Sequence, residues 1–217
     1  MKPGAFLFDL DGTLVDTEAL WTRAIVDLLE ARGVKTRFDA VVPMVIGRNW
    51  FDIDRSLHER FPEMGNTTLQ EDAAELRGYF DSYAADPKSM IIESSVEFLV
   101  RASKLAPVAI VSGSPHDDVV KAAKLCGVSE YLKFVLGGED YEEGKPSPSG
   151  YLKAAEMLGV APRDCVVVED SCAGVKSGVA AGMNVIALDR STLAKQDFEG
   201  ERWLVKDLSE FDWGAFE

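Results

Sequence analysis

Across its 217 residues the chain carries 37 acidic against 23 basic side chains, a formal net charge of -14, and 47% of its residues are hydrophobic. That apolar share supports a sizeable core, either one large domain or a core with a smaller insert, and argues against disorder. The charge argues against nonspecific binding to nucleic acid or to an anionic membrane, and no apolar run approaches the roughly 18 residues of a membrane span.

The chain opens on Met1-Lys2-Pro3-Gly4, without a signal-peptide pattern, and enters an apolar run at once. Ala5-Phe6-Leu7-Phe8 reads as a buried strand, and Asp9-Leu10-Asp11-Gly12-Thr13 follows where that strand would end. Gly12 permits a sharp turn there. In an open α/β sheet ligands bind beyond the carboxyl ends of the strands, so two acids at this place would face a cation or a phosphoryl group. Plain turn chemistry at Asp11-Gly12 would account for the same residues.

From Thr17 to Asp86 the pattern changes to amphipathic helices without convincing strands. Leu20, Ala24, Ile25, Leu28 and Leu29 recur at helical spacing and stop at Gly33. A second helix precedes Gly47, a third runs from near Trp50 to Phe61 and stops at Pro62, and a fourth begins near Thr68 and ends before Pro87. This segment reads as a helical module of about four helices inserted after the first strand, with joints near Val15-Asp16 and Asp86-Pro87.

Further strand-like runs lie at residues 108–112, 134–136, 165–169 and 185–188, with helical patterns between them at 115–125, 148–158 and 173–181. The alternation predicts a parallel, doubly wound sheet. Val108-Ala109-Ile110-Val111 and Val166-Val167-Val168 are apolar throughout, as strands buried on both faces are. Each strand ends in a polar loop. Ser112-Gly113-Ser114-Pro115 offers Ser114 as N-cap and Pro115 as first helical residue, with the Ser112 hydroxyl and the Gly113 and Ser114 N–H groups turned toward an anion. Lys145 sits in the stiff loop Gly144-Lys145-Pro146. Glu169-Asp170 closes the fourth run, and adjacent carboxylates repel unless a cation lies between them. Singly, these are ordinary capping, an exposed loop lysine and acids at a helix start. Jointly, in the order Asp-x-Asp, Ser, Lys, Glu-Asp, they are harder to dismiss.

This combination resembles the haloacid dehalogenase superfamily in its phosphatase branch, from Phe6 to about Asp189. The place of the insert is similar to that in the subgroup containing β-phosphoglucomutase and small sugar-phosphate phosphatases. The resemblance implies a Rossmann-like doubly wound core over residues 1–16 and 87–217, and an inserted helical cap over 17–86. It implies Asp9 as nucleophile, forming an aspartyl-phosphate, and Asp11 as acid toward the leaving alcohol, then base toward water. Ser112, Gly113 and Lys145 would hold phosphoryl oxygens, with Lys145 also orienting Asp9. Mg²⁺ would sit on Asp9, the Asp11 backbone carbonyl, Asp170 and Glu169, the last directly or through a second shell. Arg48, in Gly47-Arg48-Asn49, resembles a cap arginine that reaches substrate, although a solvated helix-end role explains it equally. Trp21 and Trp50 would line the pocket or fill the cap core. His58 and His116 lack a partner motif and are expected at the surface. The related mutases suggest a cis Lys145-Pro146 bond.

The expected protein is a cytoplasmic, monomeric, Mg²⁺-dependent hydrolase of a small phosphomonoester, a sugar phosphate by resemblance. Its three cysteines, Cys126, Cys165 and Cys172, lack CxxC spacing and read as free thiols used for packing. A phosphosugar mutase is the first alternative. It is disfavoured because Trp21 stands where the mutases have a histidine, and Thr13 where they have a bulkier apolar residue. A non-catalytic binding protein on the same fold is the second.

Overall fold

The structure is a computed structural model that describes residues 1–46, 48, 50–190 and 196–217. Strands β1 (Ala5–Phe8), β2 (Val108–Val111), β3 (Leu132–Leu136), β4 (Cys165–Glu169), β5 (Asn184–Leu188) and β6 (Trp203–Val205) form one sheet in the order β3-β2-β1-β4-β5-β6. Every pairing is parallel. Alternate side chains of the central strands go to opposite faces and both faces are buried. Phe6, Phe8, Ile110, Val166 and Val168 join one core, whereas Leu7, Ala109, Val111, Val167 and Val185 join the other. That is why these strands read as unbroken apolar runs and not as alternating ones.

Eight α-helices accompany the sheet among the described residues: α1 (Glu18–Ala31), α2 (Phe38–Val45), α3 (Trp50–Arg60), α4 (Leu69–Tyr83), α5 (Glu93–Ala102), α6 (His116–Leu125), α7 (Ser149–Leu158) and α8 (Cys172–Ala180). The first four lie between β1 and β2 and bury a core of their own around Ile25, Leu28, Leu29, Leu57 and Leu76. Thr68 and Glu71 form a reciprocal capping box that starts α4. Where the chain leaves and rejoins the sheet, the two crossings are tied together. Asp16 N–H donates to Met90 O at 2.8 Å, Ile92 N–H donates to Leu14 O at 2.9 Å, and Val15 bridges antiparallel to Ile91.

The structure corrects four sequence expectations. Pro115, not Ser114, is the N-cap of α6 and its side chain makes no cap bond, because the Ser114 hydroxyl is turned to Asp11 instead. Helix α5 and strand β6 were not expected. Helix α5 starts at Glu93, and its N-cap, Ile92, has no side-chain cap bond. Strand β6 is only three residues long and is held by Trp203, which packs edge-on against Phe211 and Phe216. Finally, His58 is half-buried and has a partner that no motif announced. Its Nε2 lies 2.7 Å from a carboxylate oxygen of fully buried Asp72, which also meets Arg32 at 2.7 Å, so α1, α3 and α4 are joined through one acid. His116 is half-exposed as expected, with Nδ1 2.5 Å from Asp140.

Candidate active site

The order of the sheet reverses between β1 and β4, the crevice position for a ligand in a doubly wound fold. Asp9 leaves β1 there, its N–H bonded to Val168 O at 3.0 Å, and Glu169 and Asp170 leave β4 beside it. All three acids are buried. One carboxylate oxygen from each can be chosen so that the three lie within 4.8 Å of one another.

Lys145 reaches the same place from the loop after β3, across a cis Lys145-Pro146 bond as expected. Its ammonium donates to Asp9, to Val111 O at 3.1 Å and to Glu169 Oε1 at 2.6 Å. Glu169 has a full set of partners: Tyr151 OH donates to Oε1 at 2.8 Å, and Ser171 N–H and Oγ donate to Oε2 at 3.3 and 3.1 Å. Asp170 accepts from Thr13 Oγ1 at 3.3 Å. Three acids thus share one lysine, and the centre is short of positive charge. Burial pushes the Asp9 carboxyl up to about 8, with Glu169 and Asp11 adding to the rise and Lys145 opposing it. Burial likewise raises Asp170 well above its ordinary value, helped by Glu18, Asp9 and Glu169. Lys145 is held charged: burial works against the ammonium, but Asp9 and Glu169 outweigh it and push its pKa up.

Two glycines make this crowding feasible. Gly12 has φ +82°, and a Cβ there would lie 2.0 Å from Asp170 Oδ2. Gly174, in the first turn of α8, would place a Cβ 1.8 Å from Glu169 Cδ. Since Glu169 is fixed by Tyr151, Ser171 and Lys145, Gly174→Ala should cost roughly 1–3 kcal/mol of overpacking. The midpoint of thermal unfolding should fall by about 3–10 °C. An unchanged midpoint would show that Glu169 moves freely.

Asp11 stands apart from the three clustered acids. Its Oδ1 accepts from Thr17 Oγ1 at 2.6 Å and its Oδ2 from Ser114 Oγ at 2.6 Å, with Ser112 Oγ a longer 3.5 Å away. The Ser112 hydroxyl is itself fixed by the Ser114 N–H at 3.0 Å. Asp9, Asp11, Ser112, Gly113, Lys145 and Arg48 all line one cleft of about 400 Å³. Arg48 is exposed and donates to Ser56 Oγ at 2.9 Å, while its neighbours Gly47 and Asn49 lie outside the described residues. Trp21 and Trp50 line the cleft and also pack on the cap core. The sequence reading missed the roles of Thr17 and Tyr151, and saw Ser114 as a cap and an N–H donor to an anion, whereas its N–H goes to Ser112 Oγ and its hydroxyl to Asp11. A hydroxyl directly after Asp16 at an expected joint was a usable signal for Thr17. For Tyr151, a core position on a helix face, nothing local marked a polar role.

Comparison with known proteins agrees with this geometry. The sequence is 28% identical over 212 residues to validoxylamine A 7'-phosphate phosphatase of Streptomyces hygroscopicus subsp. limoneus, covering 95% of both chains. It is 32% identical to hexitol phosphatase A of Escherichia coli (strain K12), covering 87% of this chain and 84% of that one. A β-phosphoglucomutase structure from Clostridium difficile shares the fold, with a TM-score of 0.78, 21% identity and coverage of 98% and 95% of the two chains. The pattern of haloacid dehalogenase-like hydrolases matches residues 3–182. With strand order, helical insertion and the acids at the switch point all accounted for, the chain belongs to the haloacid dehalogenase-like hydrolase family.

Proposed function

We propose that this enzyme is a Mg²⁺-dependent phosphomonoester hydrolase that works through an aspartyl-phosphate on Asp9. One observation carries the reading: three buried acids and a single lysine converge at the crevice where β1 and β4 part. An all-oxygen donor set of this kind fits a hard divalent cation. Asp9 and Asp170 would hold it together with the Asp11 backbone carbonyl, backed by Glu169, whose oxygens already accept from Lys145, Tyr151 and Ser171. When bound, Mg²⁺ supplies positive charge against the developing charge of the transferring phosphoryl group.

The protein's own groups do the rest. Ser112, the Gly113 N–H and Lys145 bind the phosphoryl oxygens, and Lys145 aims the Asp9 carboxylate. The Asp9 oxygen forms a bond to phosphorus as the ester P–O bond breaks, and Asp11 gives its proton to the departing alkoxide. Asp11 then takes a proton from water, whose oxygen attacks phosphorus and releases Asp9 and inorganic phosphate. Residues 17–86 serve as the cap over a core of residues 1–16 and 87–217, with Arg48 reaching the bound ester from the cap side. Hydrolysis is favoured over mutase chemistry because Trp21 stacks on Phe80, centroids 3.9 Å apart, and offers Asp11 no titratable partner. The intact acids and Lys145 speak against a non-catalytic role. Resemblance and the name of the Escherichia coli relative favour a sugar phosphate, while the walls of the cleft, treated below, argue for a different alcohol. The free thiols of Cys126, Cys165 and Cys172 fit a reducing, cytoplasmic setting.

The direct test is release of inorganic phosphate from acetyl phosphate and from a panel of phosphorylated metabolites. Release should require Mg²⁺ and stop with EDTA, and its absence throughout the panel would reject the hydrolase reading. A second readout needs no turnover. Because Asp9 is raised from 3.8 to about 8, the metal-free folded state keeps a proton that the unfolded chain loses as pH rises. Its stability contribution is therefore present in acid and lost on the way to pH 8. Mg²⁺ replaces that proton, so the thermal shift on adding Mg²⁺ should be several degrees near pH 8 and close to zero near pH 5. A shift independent of pH would show that the ion binds elsewhere.

A further inference from the structure

The cleft has walls that the chemistry at its floor does not require. On the helical side it is lined by Trp21, Val45, Trp50, Ile53, Leu76 and Phe80, and on the sheet side Leu10, Met90 and Leu125 extend the apolar surface. Trp21 and Phe80 stack with 21° between their planes, which gives that wall a flat aromatic element.

Most of the polar side chains on these walls already have partners within the protein, and Trp50 Nε1 is a buried donor that has none among the described residues. Arg77 lies over the Trp21 ring, 5.1 Å from its centroid, and pairs with Asp118 of α6, which also accepts from Lys121 at 3.1 Å. Arg48 donates one N–H to Ser56 and is assigned above to the bound ester, and the hydroxyls of Thr17 and Ser114 both donate to Asp11. A sugar carrying several hydroxyls would exchange water for few partners on such walls, whereas a flat apolar group would give up nothing. A volume of about 400 Å³ lies toward the small end of ligand pockets.

We infer that the alcohol released by this enzyme carries a flat, largely apolar aromatic body of roughly one or two rings, and is not a polyhydroxylated sugar. The inference rests on the cleft being the phosphomonoesterase site proposed above. Trp21, Leu76 and Phe80 select the body, while Asp9, Asp11 and Lys145 act on the phosphate and are indifferent to it.

The test uses the Mg²⁺-loaded enzyme and esters of primary alcohols, so that the leaving oxygen is of one kind: ethyl phosphate, 2-phenylethyl phosphate, 2-(2-naphthyl)ethyl phosphate and glucose 6-phosphate. We expect kcat/KM to rise in the order ethyl, phenylethyl, naphthylethyl by about 100-fold in total, with glucose 6-phosphate no better than ethyl phosphate. A tenfold preference for glucose 6-phosphate over 2-phenylethyl phosphate overturns the inference. Binding decides it separately from turnover. By tryptophan fluorescence, 2-phenylethylphosphonate should bind at least tenfold more tightly than ethylphosphonate, and equal affinities overturn it. If acetyl phosphate and every ester resist hydrolysis, the hydrolase reading falls, and the phosphonate pair still reports on the walls.

Discussion

Asp9→Asn should abolish phosphate release, by about 10⁴-fold or more, and leave the fold standing. The amide nearly matches the carboxylate in shape, so the packing at the end of β1 survives. It cannot attack phosphorus and brings no negative charge to a cation. Lys145 would still have Glu169, 2.6 Å away, and Val111 O as partners, so its ammonium is not stranded. Without metal, burial and neighbouring acids hold Asp9 near 8, so near neutral pH the neutral amide replaces a carboxyl that is already largely protonated. The unfolding midpoint without metal should therefore stay within a few degrees of the wild type near neutral pH. Steady-state phosphate release and a thermal melt on the same preparation check both halves. Turnover near the wild-type rate would remove Asp9 from the nucleophile's role.

Asp11→Asn is expected to produce a loss that depends on the leaving group. An alkyl phosphate needs a proton on its departing oxygen, and general-acid help of this kind contributes about 10²–10⁴-fold. A nitrophenyl phosphate departs as a weakly basic phenolate and needs much less. Formation of the phosphoenzyme should thus slow by two to four orders of magnitude for 2-phenylethyl phosphate and by less than about tenfold for 4-nitrophenyl phosphate. Breakdown of the phosphoenzyme should slow equally for both, since water is activated in the same way. Rapid-quench measurement of the nitrophenol burst, set beside single turnovers of the alkyl ester, separates the two steps. An equal loss in the first step for both esters would show that Asp11 is not the acid. The side chain is well placed for a split role. Thr17 and Ser114 hold one oxygen each at 2.6 Å and keep the carboxyl away from the three acids around Asp9.

Much of this was legible in the sequence, for physical reasons that differ by element. Strands β2 and β4 announce themselves because both faces are covered, so Val108 to Val111 and Val166 to Val168 contain no polar interruption. Of the helices between β1 and β2, α1, α3 and α4 are marked by Gly33, Pro62 and Thr68, local signals that need no tertiary contact, whereas α5 carries no such mark. Strand β6 left no such mark. It is three residues long, Leu204 in its middle is exposed, and the rings on which its own Trp203 packs, Phe211 and Phe216, come from outside the strand. The loops that carry Asp9, Ser112, Lys145 and Asp170 could be read from the chain because each follows a strand. The groups that fix those side chains could not. Tyr151 reaches Glu169 from a helix interior, and His58 finds Asp72 from 14 residues away. Such contacts depend on how elements lie against each other, and a local pattern does not encode it.

The tie between the two chain crossings at Val15 and Ile91 changes what the helical insertion means to the sheet. Because Asp16 and Met90 are hydrogen-bonded neighbours at 2.8 Å, the sheet meets everything from α1 to α4 as though it were a hairpin turn. The chain-closure entropy of that long excursion is met by helices that pack among themselves, and strand pairing is left untouched. A module joined in this way can lengthen, shrink or be recast without disturbing the register of β1 against β2 and β4. On the proposed function, the part of the molecule that would choose the alcohol is thereby free to vary without disturbing the part that would break the ester.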